Sequence, residues 1–547
     1  MRQPCVVFLG DRAFRWQILA FCLAIAISGS FSKIAAGQSP QQEVVYFLTV
    51  FDAQNFNPSR NGPSLQNNPA LANPPVCTGA YADGASVLVI RLHNGALAPG
   101  GSTLTLSHGT DPQDYHDPMN IGSIYTPVNG NPWQLPPLPA PDPTAIAIAN
   151  GQLGTLSAAA GAPGNNANND TYVYYRPPNN FLFGGNMPQQ VLLIEAHDAN
   201  GALLASTTFT LDRPMVVLGH GINSSSSALT QLQTSLQVIA SGGVDVELFD
   251  WSQQNTSGFD TVAGLLNGFV TQELQNVRAI GTAATRVDYF GHSMGGVVAK
   301  WYAGATAQQN FPRSPRWFLF PRFNWQPSYI RDNNFGIGDF HRLISVGSPY
   351  SGSPLADLTT FRTWPAVMLF VGATPGLHGN GCCYYDLGTR SRSTSVLIGL
   401  TPTVSWFPIV GIGAPGKTSA NLSESWVVSL LSPLVNQLCT NVGLLPANSD
   451  LIVRDLSQLN RPTDQVRPKF WSLVLAQNQV PAPIQSPGLP WNPIAGIAPP
   501  AGSSSFIVVR NVTHSDELSS VFVAIDVAGP LDLGASIGNW VFFNPGF

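Results

Sequence analysis

Arg286-Val287-Asp288-Tyr289-Phe290-Gly291-His292-Ser293-Met294-Gly295-Gly296-Val297-Val298-Ala299 joins an apolar run to a glycine-bounded turn and then to a second apolar run. The first run, Val287 to Phe290, has the length and composition of a strand buried on both faces. From Met294 to Ala303 the spacing is helical. Between them, Gly291-His292-Ser293-Met294-Gly295 holds a serine in a turn where a side chain at either flank would clash. A serine on such a strand-to-helix turn offers its oxygen as a nucleophile. Context carries this signal, because the five-residue pattern recurs at Gly534-Ala535-Ser536-Ile537-Gly538. No His, Asp or Glu follows Ser536, so it cannot open a Ser…Asp…His order.

Outward from the turn, apolar runs alternate with helical stretches. Met215 to Leu218, Val244 to Phe249, Leu343 to Val346, Phe407 to Ile412 and Phe506 to Val509 read as further buried strands. Ala228 to Ala240 and Thr261 to Arg278 read as helices. Alternation of this kind predicts a doubly wound, mostly parallel α/β domain over 213–547. Before Arg213-Pro214 the character differs. Short β-branched and aliphatic runs (Val44 to Val50, Ala85 to Leu92, Thr171 to Tyr175, Val191 to Ala196 and Leu203 to Leu211) are separated by Asn, Gly and Pro clusters. They predict an all-β sandwich over 44–212, with Asn165 to Asp170 as an exposed loop.

Gly291-His292-Ser293-Met294-Gly295-Gly296 resembles the nucleophile elbow of lipases and related α/β-hydrolases, and Val216-Val217-Leu218-Gly219-His220-Gly221-Ile222-Asn223 is similar to their oxyanion loop. The resemblance covers roughly Pro214 to Val541. It implies the α/β-hydrolase fold, hydrolysis of carboxylic esters with Ser293 as nucleophile, and an oxyanion hole made by the backbone N–H groups of Ile222 and Met294. Such donors stabilise charge that develops only in the tetrahedral intermediate. Among nine histidines, four fall in the β-rich part and His220 and His292 sit inside the two motifs, leaving His341, His378 and His514. His514, in a loop just after a strand candidate, resembles the family's catalytic base. Asn448-Ser449-Asp450-Leu451-Ile452-Val453 is similar to the family's Asp-Gly-x-Val acid loop, with Leu451 in place of the glycine. Asp450 is the acid this implies, and Asp455 the alternative. Asp386 reads as a structural helix cap. Ser345-Val346-Gly347-Ser348-Pro349-Tyr350-Ser351-Gly352-Ser353 resembles the family's Gly-Thr-Pro-His-x-Gly-Ser turn, with Ser348 and Tyr350 replacing Thr and His. The β-rich part resembles the immunoglobulin-like modules that precede secreted hydrolases.

Composition narrows the setting. A net charge of −5, with 10% charged residues and no Lys/Arg run, excludes nucleic acid as a partner. Arg2, Arg12 and Arg15 precede an apolar run from Trp16 to Ile27, with Ala35-Ala36-Gly37 beyond it. These features predict a signal peptide over 1–37, export to the extracellular space or periplasm, and no transmembrane anchor after its removal. Of the six cysteines, Cys77, Cys382, Cys383 and Cys439 stay in the mature chain, and a bridge from Cys382 or Cys383 to Cys439 is expected. Asp111, Asp114 and Asp117 read as a solvated acidic turn, no metal site is expected, and the chemistry requires no cofactor. Aromatic residues between Phe311 and Phe340 (Trp317, Phe318, Phe320, Phe323, Trp325 and Tyr329) read either as core or as a cap suited to apolar ester or lipid substrates and transient lipid-interface contact. Two other readings stay open: an amidase or peptidase with the same triad, and a noncatalytic surface-binding protein.

Overall fold

The computed structural model describes residues 44–53, 76–108, 121–125, 155–159, 169–178, 189–222, 224–239, 243–255, 257–304, 329–331, 334–353, 356, 386–388, 391–400, 404–412 and 507–510. Its first part is built from strands β1 (Phe47–Asp52), β2 (Gly79–Tyr81), β3 (Leu88–His93), β4 (Ser102–His108), β5 (Ser123–Tyr125), β6 (Thr155–Ala159), β7 (Thr171–Arg176), β8 (Gln189–Asp198) and β9 (Leu203–Asp212). One antiparallel sheet runs β1-β3-β7-β5. In the other, β9, β8, β4 and β6 follow one another antiparallel, and β2 lies parallel to β9.

Period-two patterning makes the two sheets face each other. Along β8, Leu192, Ile194 and Ala196 point inward and are buried. They join Leu104, Leu106, Phe209 and Leu211 from their own sheet, and Leu88, Ile90, Val173 and Tyr175 from the other, in one core. The opposite face of β3 and β7 is also covered, since Val89, Tyr172 and Tyr174 cluster with Phe335 from the second part of the chain. Burial on both faces explains why Thr171-Tyr172-Val173-Tyr174-Tyr175 is apolar or aromatic almost throughout. The expected exposed loop ends differently: Asp170 is buried, His93 Nδ1 lies 2.9 Å from its carboxylate, and Arg91 lies 4.0 Å away. A carboxylate withdrawn from water needs such partners, which overrides the polar composition around it.

The second part holds β10 (Val216–Gly219), β11 (Val246–Phe249), β13 (Val287–His292), β14 (Phe340–Val346), β15 (Ser405–Ile412) and β16 (Ile507–Arg510). Every pairing among them is parallel, in the order β11-β10-β13-β14-β15-β16. Each of the six strands read from the sequence is present. Helices α1 (Thr230–Ile239), α2 (Phe259–Ala279), α3 (Met294–Ala303) and α4 (Arg392–Gly399) accompany them. On α2, Phe259, Val262, Ala263, Leu266, Val270, Leu274 and Val277 form a helical-period stripe that packs into the core. Helix α3 is buried along its whole length. Order reverses at β10, whose neighbours β11 and β13 lead away on either side. That switch point is where parallel sheets open a crevice at their strand ends.

The two parts are stitched together before β13 begins. Strand β12 (Thr282–Ala283) leaves the α/β part to pair in parallel with β2, and Ala283 enters the sandwich core. Asp83 then grips the chain: its carboxylate accepts from Thr285 N at 2.8 Å and Arg286 N at 3.1 Å, as well as from Ala85 N and Ser86 N at 2.8 Å each. Arg286 in turn donates to the Asp83 carbonyl, and Arg278 Nε stands 3.4 Å from Asp52. Among the described residues no helix is long and apolar enough to cross a membrane, and no group of three or more His, Cys, Asp or Glu side chains could hold a metal. Cys77 is free and buried, and burial pushes its thiol up to about 12. Residues 1–37, Asp111, Asp114, Asp117, Cys382, Cys383 and Cys439 lie outside the described residues.

Candidate active site

Ser293 sits between the last residue of β13 and the first of α3, with φ 53° and ψ −124°. A non-glycine residue at positive φ is strained, and such strain persists only where the surroundings over-determine it. Here they do. Ser293 N donates to Val346 O at 2.9 Å, tying the turn to the end of β14, and Gly296 N donates back to Ser293 O at 3.2 Å. A Cβ on Gly291 would lie 2.3 Å from Gly296 N, and one on Gly295 would lie 2.5 Å from Gly219 O. Ser293 occupies the N-cap position of α3, yet its side chain makes no capping hydrogen bond.

The loop after β10 meets this serine directly. A Cβ added to Gly221 would lie 2.9 Å from Ser293 Cβ and 3.4 Å from its Oγ, so only glycine fits. Gly219 pairs with Gly291 across the sheet, which brings both motifs to one edge. Ile222 follows Gly221, and Met294 opens α3, where first-turn N–H groups lack helical acceptors and the dipole favours negative charge. The backbone positions expected as oxyanion donors thus lie in the loop that meets Ser293 and in the residue that follows it. Behind them, Gly296 packs so closely on the turn after β14 that a Cβ would strike Ser348 Oγ at 2.1 Å.

Other sequence-selected residues have structural partners. Asp386 accepts from Phe259 N at the start of α2 (3.1 Å) and from Ser393 Oγ (2.6 Å), the capping role expected of it. His341 pairs with Asp288 through Nδ1 at 2.8 Å. Both lie near the starts of β14 and β13, at the sheet edge opposite Ser293. Asp450, Asp455 and His514 lie outside the described residues, as does His378. Strand β16 ends at Arg510 and, being parallel to its neighbours, ends on the same edge as Ser293. Sequence reasoning missed Asp250 and Trp251, which follow β11 at this edge and contact His220. Their place right after a strand end beside the switch point was the available signal.

Residues 212–363 match the family described as "Putative serine esterase (DUF676)". No curated protein matches the chain. Solved structures with some likeness include a lipase from Bacillus licheniformis in its mature form (14% identity, 59% of this chain and 92% of that chain covered, TM-score 0.32). Another is a lipase from Staphylococcus hyicus (11% identity, 58% and 94% covered, TM-score 0.35). EstA from Clostridium botulinum is a third (14% identity, 59% and 88% covered, TM-score 0.33). Likeness at this level adds nothing to the topology already described. With a parallel sheet reversing at β10, a strained serine elbow against a glycine loop, and the esterase family's match spanning both, the α/β part of this chain is lipase/esterase-like and of the α/β-hydrolase type.

Proposed function

We propose that the protein is a secreted serine hydrolase that cleaves carboxylic esters, with lipids or other apolar esters as substrates, through Ser293, His514 and Asp450. The carrying observation is the elbow at Ser293, strained at φ 53° and pressed against Gly221. Ser293 Oγ attacks the ester carbonyl carbon while His514 takes its proton. The carbonyl oxygen becomes an oxyanion facing the N–H groups of Ile222 and Met294. Collapse breaks the ester C–O bond, and His514 returns the proton to the leaving alcohol. Water, deprotonated by the same imidazole, then releases the acid and restores Ser293. Asp450 holds the imidazole in the required tautomer. The β-sandwich is, on this proposal, an immunoglobulin-like module carried with the enzyme, and export follows the signal peptide over 1–37.

Treatment with a fluorophosphonate tests the core of this reading. The wild-type chain is expected to gain one adduct on Ser293, and Ser293→Ala none, with esterase turnover lost by about 10⁴-fold or more. His514→Ala and Asp450→Asn are expected to fall comparably, and Asp455→Asn to stay near wild type. Turnover that survives complete fluorophosphonate treatment, or turnover by Ser293→Ala near the wild-type rate, would sink the assignment. A series from short soluble esters to long-chain emulsions reads the substrate: activity confined to the short esters removes the lipid proposal, and faster cleavage of a matched anilide selects the amidase reading.

A further inference from the structure

We infer that His220 is a positioning residue for the oxyanion hole, fixing through its side chain the peptide that carries the Ile222 N–H. The inference rests on the serine-hydrolase reading above and adds a residue to it. His220 Nδ1 lies 2.7 Å from the Gly221 carbonyl oxygen, and the Trp251 backbone N–H donates to His220 Nε2 at 3.1 Å. A carbonyl only accepts, so Nδ1 carries the hydrogen. Nδ1 keeps that hydrogen whether Nε2 accepts from Trp251 or donates to Asp250, both of which reach it. Burial holds the imidazole below its ordinary value of 6.5, with the Gly221 carbonyl and Asp250 acting against it. The ring is fully buried and lies flat on Trp251, with centroids 4.6 Å apart and planes 6° from parallel. Asp250 Oδ1, 3.2 Å from Nε2, is held by the N–H of Ser252 at 2.8 Å. Every degree of freedom of the imidazole is therefore used.

The need for such an anchor follows from Gly221. Only glycine fits against Ser293, but glycine leaves the peptide planes on either side free to rotate. One of those planes holds the Gly221 carbonyl and the Ile222 N–H. In a trans peptide these two groups point in opposite directions, and no cis bond occurs among the described residues. Holding the carbonyl on His220 thus aims the Ile222 N–H away from it. The glycine that makes room for the nucleophile would otherwise release the donor, and His220 restores the lost definition.

Side-chain geometry supplies a discriminating test. In asparagine the amide nitrogen is bonded to Cγ, as Nδ1 is in histidine. In glutamine it lies one atom further out, near Nε2. We expect His220→Asn to keep kcat within about tenfold of wild type, and His220→Gln and His220→Phe to lose about 10²-fold in kcat with little change in KM, the loss typical of one missing oxyanion donor. A boronic acid, whose tetrahedral adduct places an oxygen in the hole, should weaken in parallel for Gln and Phe but not for Asn. Active-site titration normalises each variant to folded enzyme. Should Gln and Phe not fold, the Asn variant decides alone: boronate affinity within about threefold of wild type supports the role, and a loss comparable to that of a missing donor overturns it. Equal losses in Asn and Gln, or unchanged boronate affinity in Gln, would also overturn it. Full activity of Ser293→Ala would instead bring down the hydrolase reading itself, so the two failures are distinguishable.

Discussion

At the edge where the parallel strands end, His220 stands beside Asp250. At the edge where they begin, His341 donates to Asp288 at 2.8 Å. The residue types are the same, but the surroundings are not. His220 adjoins the loop that touches Ser293, and its partner carboxylate remains partly in water. His341 and Asp288 are both buried between Arg286 and Arg342, next to the Asp83 clamp that joins the sandwich to the sheet. A histidine–aspartate pair therefore identifies no chemistry by itself. On the proposed reading, one edge of this sheet orders peptide donors around Ser293, while the other secures the joint between two structural parts.

If that division is right, damage at the joint should cost stability and spare catalysis. Asp83→Ala removes the acceptor for four backbone N–H groups, those of Ala85, Ser86, Thr285 and Arg286. Hydrogen bonds to a charged acceptor are worth about 1.5–3 kcal/mol each, and buried donors left unpaired add their desolvation cost. After partial relaxation the expected loss is on the order of 4 kcal/mol, larger than for any change at His341 or Lys300. Urea unfolding monitored by fluorescence measures it. Active-site-titrated kcat should stay near wild type, and a large fall in kcat at unchanged stability would erase the contrast between the edges.

The parallel sheet was legible because its strands are continuous apolar runs, and a strand buried on both faces needs no partner to be recognised. The elbow was legible because glycines flank a serine between such a strand and a helix. Less of the sandwich could be read. Gly79–Tyr81 and Ser123–Tyr125 are three-residue strands too short to show a period, although Leu104 and Leu106 in Ser102–His108 do alternate inward. Thr282–Ala283 carries no local signal at all, because its place is set by β2, about 200 residues earlier in the chain. Ile222 and Met294 were named from motifs that the fold does bring together around Ser293. The role of His220 was hidden, since it depends on Trp251 and the Gly221 carbonyl, contacts that exist only after folding.

The two histidines can be set against each other. His341→Leu keeps a side chain of similar bulk and leaves the buried Asp288 without its donor at 2.8 Å. The expected cost is about 2–3 kcal/mol, the worth of a hydrogen bond to a charged group. Burial holds His341 below its ordinary 6.5. The unfolded chain therefore binds a proton more readily, and the stability that the neutral ring contributes, complete above 6.5, is lost as pH falls below it. The Leu variant should be less stable at pH 8 and should lose less on acidification. A fall in kcat at equal folded fraction, like that expected of His220→Gln, would show that the two edges are not separate in function.

Lys300 lies on α3, which runs back from Ser293 toward the joint and so connects the two edges. Its side chain is buried, with Nζ donating to Leu397 O at 2.9 Å and lying 5.1 Å from the ring centres of Tyr350 and Trp406. Burial lowers its amine to about 7, while the carbonyl and the two ring faces favour the charged form. Lys300→Met preserves length and apolar bulk. It orphans little, because Leu397 O also accepts from Leu400 N at 3.2 Å. Replacing a buried, mostly neutral amine with a packed apolar side chain exchanges one hydrogen bond for apolar contact, and the two effects nearly offset. At pH 8 the expected change is within about 1 kcal/mol of zero, smaller than at Asp83 or His341. The pH dependence is the sharper reading. Between about 7 and 10.5 the unfolded chain holds a proton on Lys300 that the folded chain has released, so wild-type stability should rise with pH across that window. Unfolding midpoints at pH 7 and 9.5 measure the rise, and the Met variant should lack it. An unchanged rise would mean that the lysine is not the titrating group. A Met variant folded as well as wild type but inactive would show that α3 transmits more to Ser293 than its position at the elbow.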